Sequence, residues 1–393
     1  MGIEIDNIKE ELFKKVKYAY NKKQYENALN LFNESLICDE NFSKALLGKA
    51  KSLYKLGRLS ESSIIYDELF DSDCMDSYIW LNIGNFYYYV LNNNSKALKS
   101  YDNGIKYDDA LVNLWIKRGN VLISMNMYEK ALNSYIEASK LDKLNYKIYN
   151  NIAHSYNLLN INDKALSAFN KSLSIKMNIY ALLNKTIILN DIGRFSEALN
   201  TINMALNIKI RYDLLYYKAL VLYNLEEYEE SLKIVNQSLD IFDYSNSWIL
   251  KTKVSYTLED FEDCINSASH VLIFNPSDTE IWFYKINSLI YLNKLDDALD
   301  SCNEVLQYDF SEYFIYEKAR ILLKLNRLNE SIKICNVFLS FDENNPNFLL
   351  LKSKILYKLG NLDEAINCVD NVIKFNPYLE EAIEFREFLE FTI

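Results

Sequence analysis

Apolar residues recur along the chain three and four positions apart, in short blocks separated by a few polar residues. That spacing lays a single stripe along an α-helix and predicts amphipathic helices from one end to the other. Inside the blocks one small residue recurs three positions after an aromatic or Leu and usually just before Leu or Ile. These small residues are Ala28, Ser62, Ala97, Ala131, Ala165, Ala198, Ser231, Cys264, Ala298, Ser331 and Ala365. Successive differences are 34, 35, 34, 34, 33, 33, 33, 34, 33 and 34. Ten consecutive spacings within one residue of 34 are the signature of a tandem repeat.

Other positions fall into the same register. Three residues before the small site stand Tyr25, Leu59, Tyr128, Phe195, Tyr228, Phe261, Leu295, Leu328 and Leu362, with Asn94 and Asn162 in the other two repeats. Four residues after it come large residues such as Phe32, Tyr66, Tyr101, Tyr135 and Phe169. Twelve residues before it lies a second small site: Ala50, Gly119, Ala153, Thr186, Ala219, Thr252, Ala319 and Ser353. Gly84 is displaced by one residue, which predicts one extra residue in that repeat's turn. Two small sites per repeat predict two helices whose axes approach closely, the large side chain filling the gap beside them. Gly and Asn mark the turn within a repeat, as in Leu56-Gly57-Arg58 and Leu359-Gly360-Asn361. Asp, Asn and Pro mark the turn between repeats, as in Phe274-Asn275-Pro276. Connections this short make successive helices antiparallel neighbours.

Composition agrees. Only 8 Gly and 3 Pro in 393 residues leave little to punctuate strands or linkers. The net charge of −11 opposes binding to phosphate backbones, which needs clustered Lys and Arg. The opening Met1-Gly2-Ile3-Glu4-Ile5-Asp6 lacks a basic segment followed by an apolar run, so no signal peptide is expected. Asp6 also stands where a myristoylation pattern needs Ser or Thr. No apolar stretch is long enough to span a bilayer, and a cytoplasmic protein without membrane contact is expected. Cys38, Cys74, Cys264, Cys302, Cys335 and Cys368 lie far apart, several at core positions, and are expected as buried reduced thiols.

Candidate chemistry is sparse. His154 and His270 have no Cys, Asp or Glu at ligand spacing, and no phosphate loop, nucleophile elbow or zinc motif occurs. No metal, cofactor or catalytic residue is expected. Lys15, Lys49, Lys185, Lys218, Lys251, Lys285, Lys318 and Lys352 recur just before the first small site. They are expected to pack their stems and snorkel their amines to solvent.

Taken together the positions resemble the tetratricopeptide repeat, with its pattern W-x2-L-G-x2-Y followed by A, F, A and P over 34 residues. Trp80-x2-Ile83-Gly84-x2-Tyr87 matches its front best, and Trp115, Gly119, Tyr128, Ala131, Tyr135 and Ala138 follow in the next repeat. Trp248 and Trp282 mark the same opening site, whereas the terminal Pro appears only as Pro276 and Pro377. The resemblance implies an all-α, right-handed solenoid superhelix of tandem antiparallel helix pairs. It implies one array of about eleven repeats over residues 6–377, closed by a capping helix over 378–393.

In the resembling family the first helix of each repeat faces a concave groove. Carried over by position, the third to sixth repeats would present Asn82, Asn85, Asn113, Lys117, Asn120, Lys147, Asn150, Asn151, His154 and Asn184. Asn amides both donate and accept, so such a ladder suits the backbone of an extended peptide. The same positions in later repeats hold Tyr216, Tyr217, Phe283, Tyr284, Tyr313, Tyr316 and Arg320, types enriched in binding hot spots. Generic repeat packing is the competing reading for both sets. The carboxylate clamp of chaperone-binding members is not expected. Its nearest match, Asn85, Lys117 and then Lys147 with Asn151, lacks the opening Lys and the closing Arg. The expected function is a non-catalytic scaffold binding peptide segments or partner helices. The alternatives are a regulatory subunit of an enzyme encoded elsewhere and, against the charge, an RNA-binding helical repeat.

Overall fold

The computed structural model describes residues 15–391 apart from 17, 40 and 41. The expectations placed on the amino-terminal residues, including the array's start at residue 6, lie outside the described residues. So does the side chain of Cys38. Among the described residues 22 helices with both ends defined follow one another from Tyr25–Cys38 to Glu380–Glu390, and there are no strands. The chain divides into two compact units, one reaching Ile188 and one starting at Leu189, and each packs its helices in consecutive pairs.

Within a pair the two small sites meet. Where one of them is Ser, its hydroxyl donates to the backbone carbonyl of the other. In the first unit Ser62 Oγ reaches Ala50 O at 2.8 Å. In the second, Ser231 reaches Ala219 O at 2.7 Å, and Ser331 and Ser353 reach Ala319 O and Ala365 O at 2.6 Å. A side chain of one non-hydrogen atom beyond Cβ spans the gap, so the backbones are as close as the sequence pattern requires. All four hydroxyls are buried and satisfied by this contact.

Outside the third repeat the turn within a repeat is equally regular. The third turn residue donates its N–H to a carbonyl five residues back, as Met127 does to Leu122 at 2.8 Å and Arg327 to Leu322 at 2.9 Å. This is the Schellman arrangement, which needs a residue with positive φ. Gly57, Gly193 and Gly360 supply it without strain, and Asn126, Asn160, Asn293 and Asn326 at modest cost. Glu226 and Glu259 occupy the same place at φ 63° and 60°. The expected extra residue is present: residues 90–93 join Ser77–Tyr89 to Asn94–Tyr107, where 125–127 suffice in the next repeat.

The turn between repeats is fixed from both sides. Asp76, Asn145, Asp278 and Asn345 accept backbone N–H groups at the start of a first helix. The Trp four places into the repeat donates its indole N–H back to the same turn. Trp80 reaches Cys74 O and Trp115 reaches Asp109 O at 2.7 Å; Trp282 reaches Pro276 O at 2.9 Å.

The last helix, Glu380–Glu390, buries Ala382 and Leu389 and ties Arg386 to Asp370 at 2.6 Å. Its outer side is not purely polar, since Phe388 is 48% exposed, and Phe391 just past its end is 92% exposed. No helix of the described residues is long and apolar enough to cross a membrane.

Candidate functional site

In the first unit the Asn residues of the first helices are held in two different ways. Gly84 and Gly119 have no side chain, and the rings of Tyr101 and Tyr135 lie directly over them; an added Cβ would sit 2.4 Å and 2.5 Å from ring carbons. From there Tyr101 donates its hydroxyl to Asn85 Oδ1 at 3.0 Å and Tyr135 donates to Asn120 Oδ1 at 2.8 Å. The carbonyl side of both Asn amides is thereby occupied, and their NH₂ groups remain to donate. Asn82 and Asn184 are oriented the opposite way. Their Nδ2 atoms donate to the Tyr78 and Tyr180 carbonyls of their own helices, at 2.6 and 2.8 Å, which leaves Oδ1 to accept.

Between these lies a notch of about 630 Å³. The helices Val112–Ser124 and Tyr146–Leu158 bring Asn113, Lys117, Lys147, Asn150 and Asn151 together around it. Asn113 and Lys147 are exposed, and Asn151 is half-buried. Lys117 donates to Tyr89 Oη at 2.8 Å with its amine 4.8 Å from that ring's centre. Asn150 is only 6% exposed. Its Nδ2 donates to Asn178 Oδ1 at 3.2 Å, and Asn178 is in turn fixed by donating to Lys176 O and Ser172 Oγ. That leaves Asn150 Oδ1 buried without a hydrogen-bond partner, a costly arrangement for an amide carbonyl. The notch therefore offers a cationic rim and both donors and acceptors. His154 is half-buried nearby in sequence, and burial holds its imidazole below the ordinary range.

In the second unit the aromatic set separates into groups. Tyr216 meets Tyr217 and Tyr244 edge-on at 5.0 and 5.3 Å. Phe283 packs on Tyr284 and Tyr313 at 5.5 and 5.4 Å, and Tyr313 Oη accepts from Asn287 Nδ2 at 2.8 Å. Tyr316 stands on edge against buried Phe348 at 5.5 Å. Arg320 pairs with buried Glu317 at 2.7 Å. Burial raises the Tyr216, Tyr284 and Tyr313 phenols to about 12, so each remains a neutral donor.

The remaining reactive groups are absorbed by packing. Cys74, Cys264, Cys302 and Cys335 are buried and free, Cys368 is half-buried, and burial pushes Cys264 to about 11 and Cys302 and Cys335 to about 12. His270 stacks on Trp248 with ring centres 4.3 Å apart. Of the recurring lysines, Lys251 pairs with Asp263 at 2.9 Å and Lys285 lies 5.0 Å from the Trp282 ring centre. Among the described residues no three His, Cys, Asp or Glu are grouped to hold a metal.

Asn145, Tyr146, Asn178 and Tyr180 also line the notch and were not among the residues expected there. Asn145 and Asn178 are turn residues that accept from Lys147 N and Ala181 N, and their place before a first helix was the available signal.

A family model described as tetratricopeptide repeat matches residues 112–143, 146–178 and 346–379. The first two of these segments carry the notch. No curated protein matches the sequence. Among solved structures, a chain in the Naa15/Naa10 complex bound to HypK-THB is 17% identical with a TM-score of 0.44. It is matched over 95% of this chain, which spans 64% of that chain's length, just under two thirds. MamA is 19% identical at TM-score 0.39, covering 45% of this chain and 93% of its own. A tetratricopeptide repeat protein from Parabacteroides merdae is 14% identical at TM-score 0.45, over 71% and 98% of the two chains.

Proposed function

We propose that this chain, a tetratricopeptide-repeat protein, is a non-catalytic scaffold that holds an extended peptide segment against the first-helix face of its first unit. The observation that carries the reading is the notch around Asn150, where a buried amide carbonyl lacks a donor beneath a rim of Lys117, Lys147 and Asn151. Peptide N–H groups donate to the reachable amides beside it, exposed Asn113 and half-buried Asn151. Neighbouring peptide carbonyls accept from Asn85 and Asn120, whose amides the tyrosines turn outward. Contacts made to the main chain give affinity with little side-chain selectivity, and the two lysines favour acidic residues beside the contact. The aromatic groups of the second unit are read as packing between repeats.

The test is a selection of displayed random peptides on the wild-type chain, followed by binding measurements on Lys117→Ala and Asn151→Ala, singly and together. Loss of both side chains is expected to weaken the selected peptides by about tenfold or more, the usual effect of truncating interface anchors. Selected peptides that bind the double variant as tightly as wild type would remove the reading.

A further inference from the structure

The second unit carries a recurring notch on the side of its second helices, between one second helix and the next. Two successive copies of it have opposite chemistry. In the earlier copy, Leu272 and Pro276 form one wall and Tyr308 the other, with Lys285 between them. Asp297, Asp300 and Glu304 of the facing helix Leu295–Val305 line the adjoining recess with it, and the charges of Glu304 and Asp297 act on its amine. The lysine thus faces three carboxylates of the fold, although it forms no ion pair with them among the described residues.

One repeat later the corresponding residues are Leu306, Phe310 and Phe341, with Lys318 in the place of Lys285. Asp300 has become Lys333 and Glu304 has become Val337. Of the three carboxylates only one survives, as Glu330, and Arg327 holds it through two hydrogen bonds of 2.7 and 2.8 Å. Among the described residues neither Lys318 nor Lys333 forms an ion pair, and both act on the Glu330 carboxylate that Arg327 already holds. The walls between them are apolar and open: Phe341 is 87% exposed, Phe310 76% and Val337 61%. A slot of about 320 Å³ lies at the small end of ligand cavities, the size for an anchoring side chain rather than a whole ligand.

We infer that this notch docks a helical protein segment that inserts a bulky apolar side chain between Phe310 and Phe341 and places carboxylates against Lys318 and Lys333. The partner supplies the two acids that Asp300 and Glu304 provide in the preceding repeat, and covers rings that water now meets. The charge of the segment follows from two lysines that share the single Glu330 carboxylate with Arg327, and its anchor from the apolar walls.

The probe is a fluorescein-labelled peptide, Glu-Glu-Phe-Leu-Glu-Glu-Phe-Leu-Glu-Glu, titrated with the full chain by fluorescence anisotropy. Its counterpart with Lys in place of every Glu serves as control. The acidic peptide is expected to bind and the basic one not, with affinity falling as salt rises. Phe341→Ser, and Lys318→Glu with Lys333→Glu, are each expected to weaken binding about tenfold or more. These side chains are exposed or at the rim, and an unchanged circular-dichroism melt confirms that the variants fold. As a gain-of-function arm, Asp300→Lys, Glu304→Val and Tyr308→Phe together are expected to raise the stoichiometry to two peptides per chain. Lys117→Ala with Asn151→Ala leaves this binding intact, which separates it from the first-helix site.

Equal binding of the basic peptide, or wild-type affinity in both loss variants, overturns the inference. So does a self-association seen by sedimentation that Phe341→Ser abolishes and the lysine reversals leave unchanged; that face then joins two copies of the chain. Binding to phosphatidylserine vesicles through the same residues, without binding to the acidic peptide, overturns it equally.

Discussion

Replacing Gly119 with Ala tests the contact on which the orientation of the Asn residues depends. In an exposed helix the change would be favourable, since Ala exceeds Gly by about 1 kcal/mol in helix propensity. Here the new Cβ would fall 2.5 Å from Tyr135 Cε1 and 2.6 Å from Cζ, well inside contact distance. The ring has little room to yield, because Tyr135 is 2% exposed and its hydroxyl is fixed on Asn120. Overpacking of this kind costs about 1–3 kcal/mol, and losing the neutral hydrogen bond adds about 1 kcal/mol. Set against the propensity gain, the net expectation is destabilisation by about 1–3 kcal/mol. Urea unfolding followed by circular dichroism, with hydrogen exchange locating the loss to the helices Val112–Ser124 and Tyr128–Leu141, measures it. Gly119→Ala combined with Tyr135→Leu removes the ring and should recover most of the loss, so the pair should be strongly non-additive. A Gly119→Ala variant as stable as wild type, or more so, would refute the close approach. It would also remove the reason for Asn120 to point its amide outward.

Three further outcomes follow from the same geometry. Glu226→Gly and Glu259→Gly relieve a left-handed residue costing about 1–2 kcal/mol, offset by the flexibility Gly adds to the unfolded chain, about 0.5–1 kcal/mol. Each should raise stability slightly in thermal melts, whereas Gly193→Glu should lower it. Ser331→Ala removes the bridge to Ala319 O and should cost about 1 kcal/mol by denaturant titration. His154 is held below its ordinary value of 6.5 by burial. The unfolded chain therefore takes up the proton first as pH falls, and the first unit loses stability on going from pH 7.5 to 5.5. His154→Gln should flatten that dependence, read as the urea midpoint at the two pH values.

The repeat period, the pairing of helices and the facing small sites were all legible, because each is a direct projection of helical spacing onto packing. The four Ser-to-carbonyl bridges follow from sites already aligned by their separation of twelve residues. What spacing cannot express is the direction of a large side chain. Tyr66 and Tyr135 occupy equivalent positions, yet Tyr66 stacks on Phe86 with centres 3.9 Å apart, while Tyr135 lies over Gly119. The facing sites differ by a single Cβ, Ala50 against Gly119. Asn150 reads as one rung among many, although a turn residue 28 positions away, Asn178, buries it. Phe341 likewise sits at a position that is apolar and exposed in most repeats, and periodicity gives no sign that it is more open than Leu141 or Ile208. Glu226 and Glu259 were hidden for another reason: the turn selects a backbone shape, and Glu adopts it at a cost the surrounding fold absorbs.

The indole anchors of the turns also make the protein its own optical gauge. Each unit contains two tryptophans, one sealed and one partly open: Trp80 and Trp115 in the first, Trp282 and Trp248 in the second. Trp80 and Trp282, 3% and 2% exposed, should emit towards the blue, while Trp115 and Trp248 emit towards the red. Because each indole is tied to the turn that joins its repeat to the one before, its colour changes when that junction opens. Trp→Phe substitution within one unit leaves a spectrum belonging entirely to the other, and the loosening of each can be followed separately with no added label.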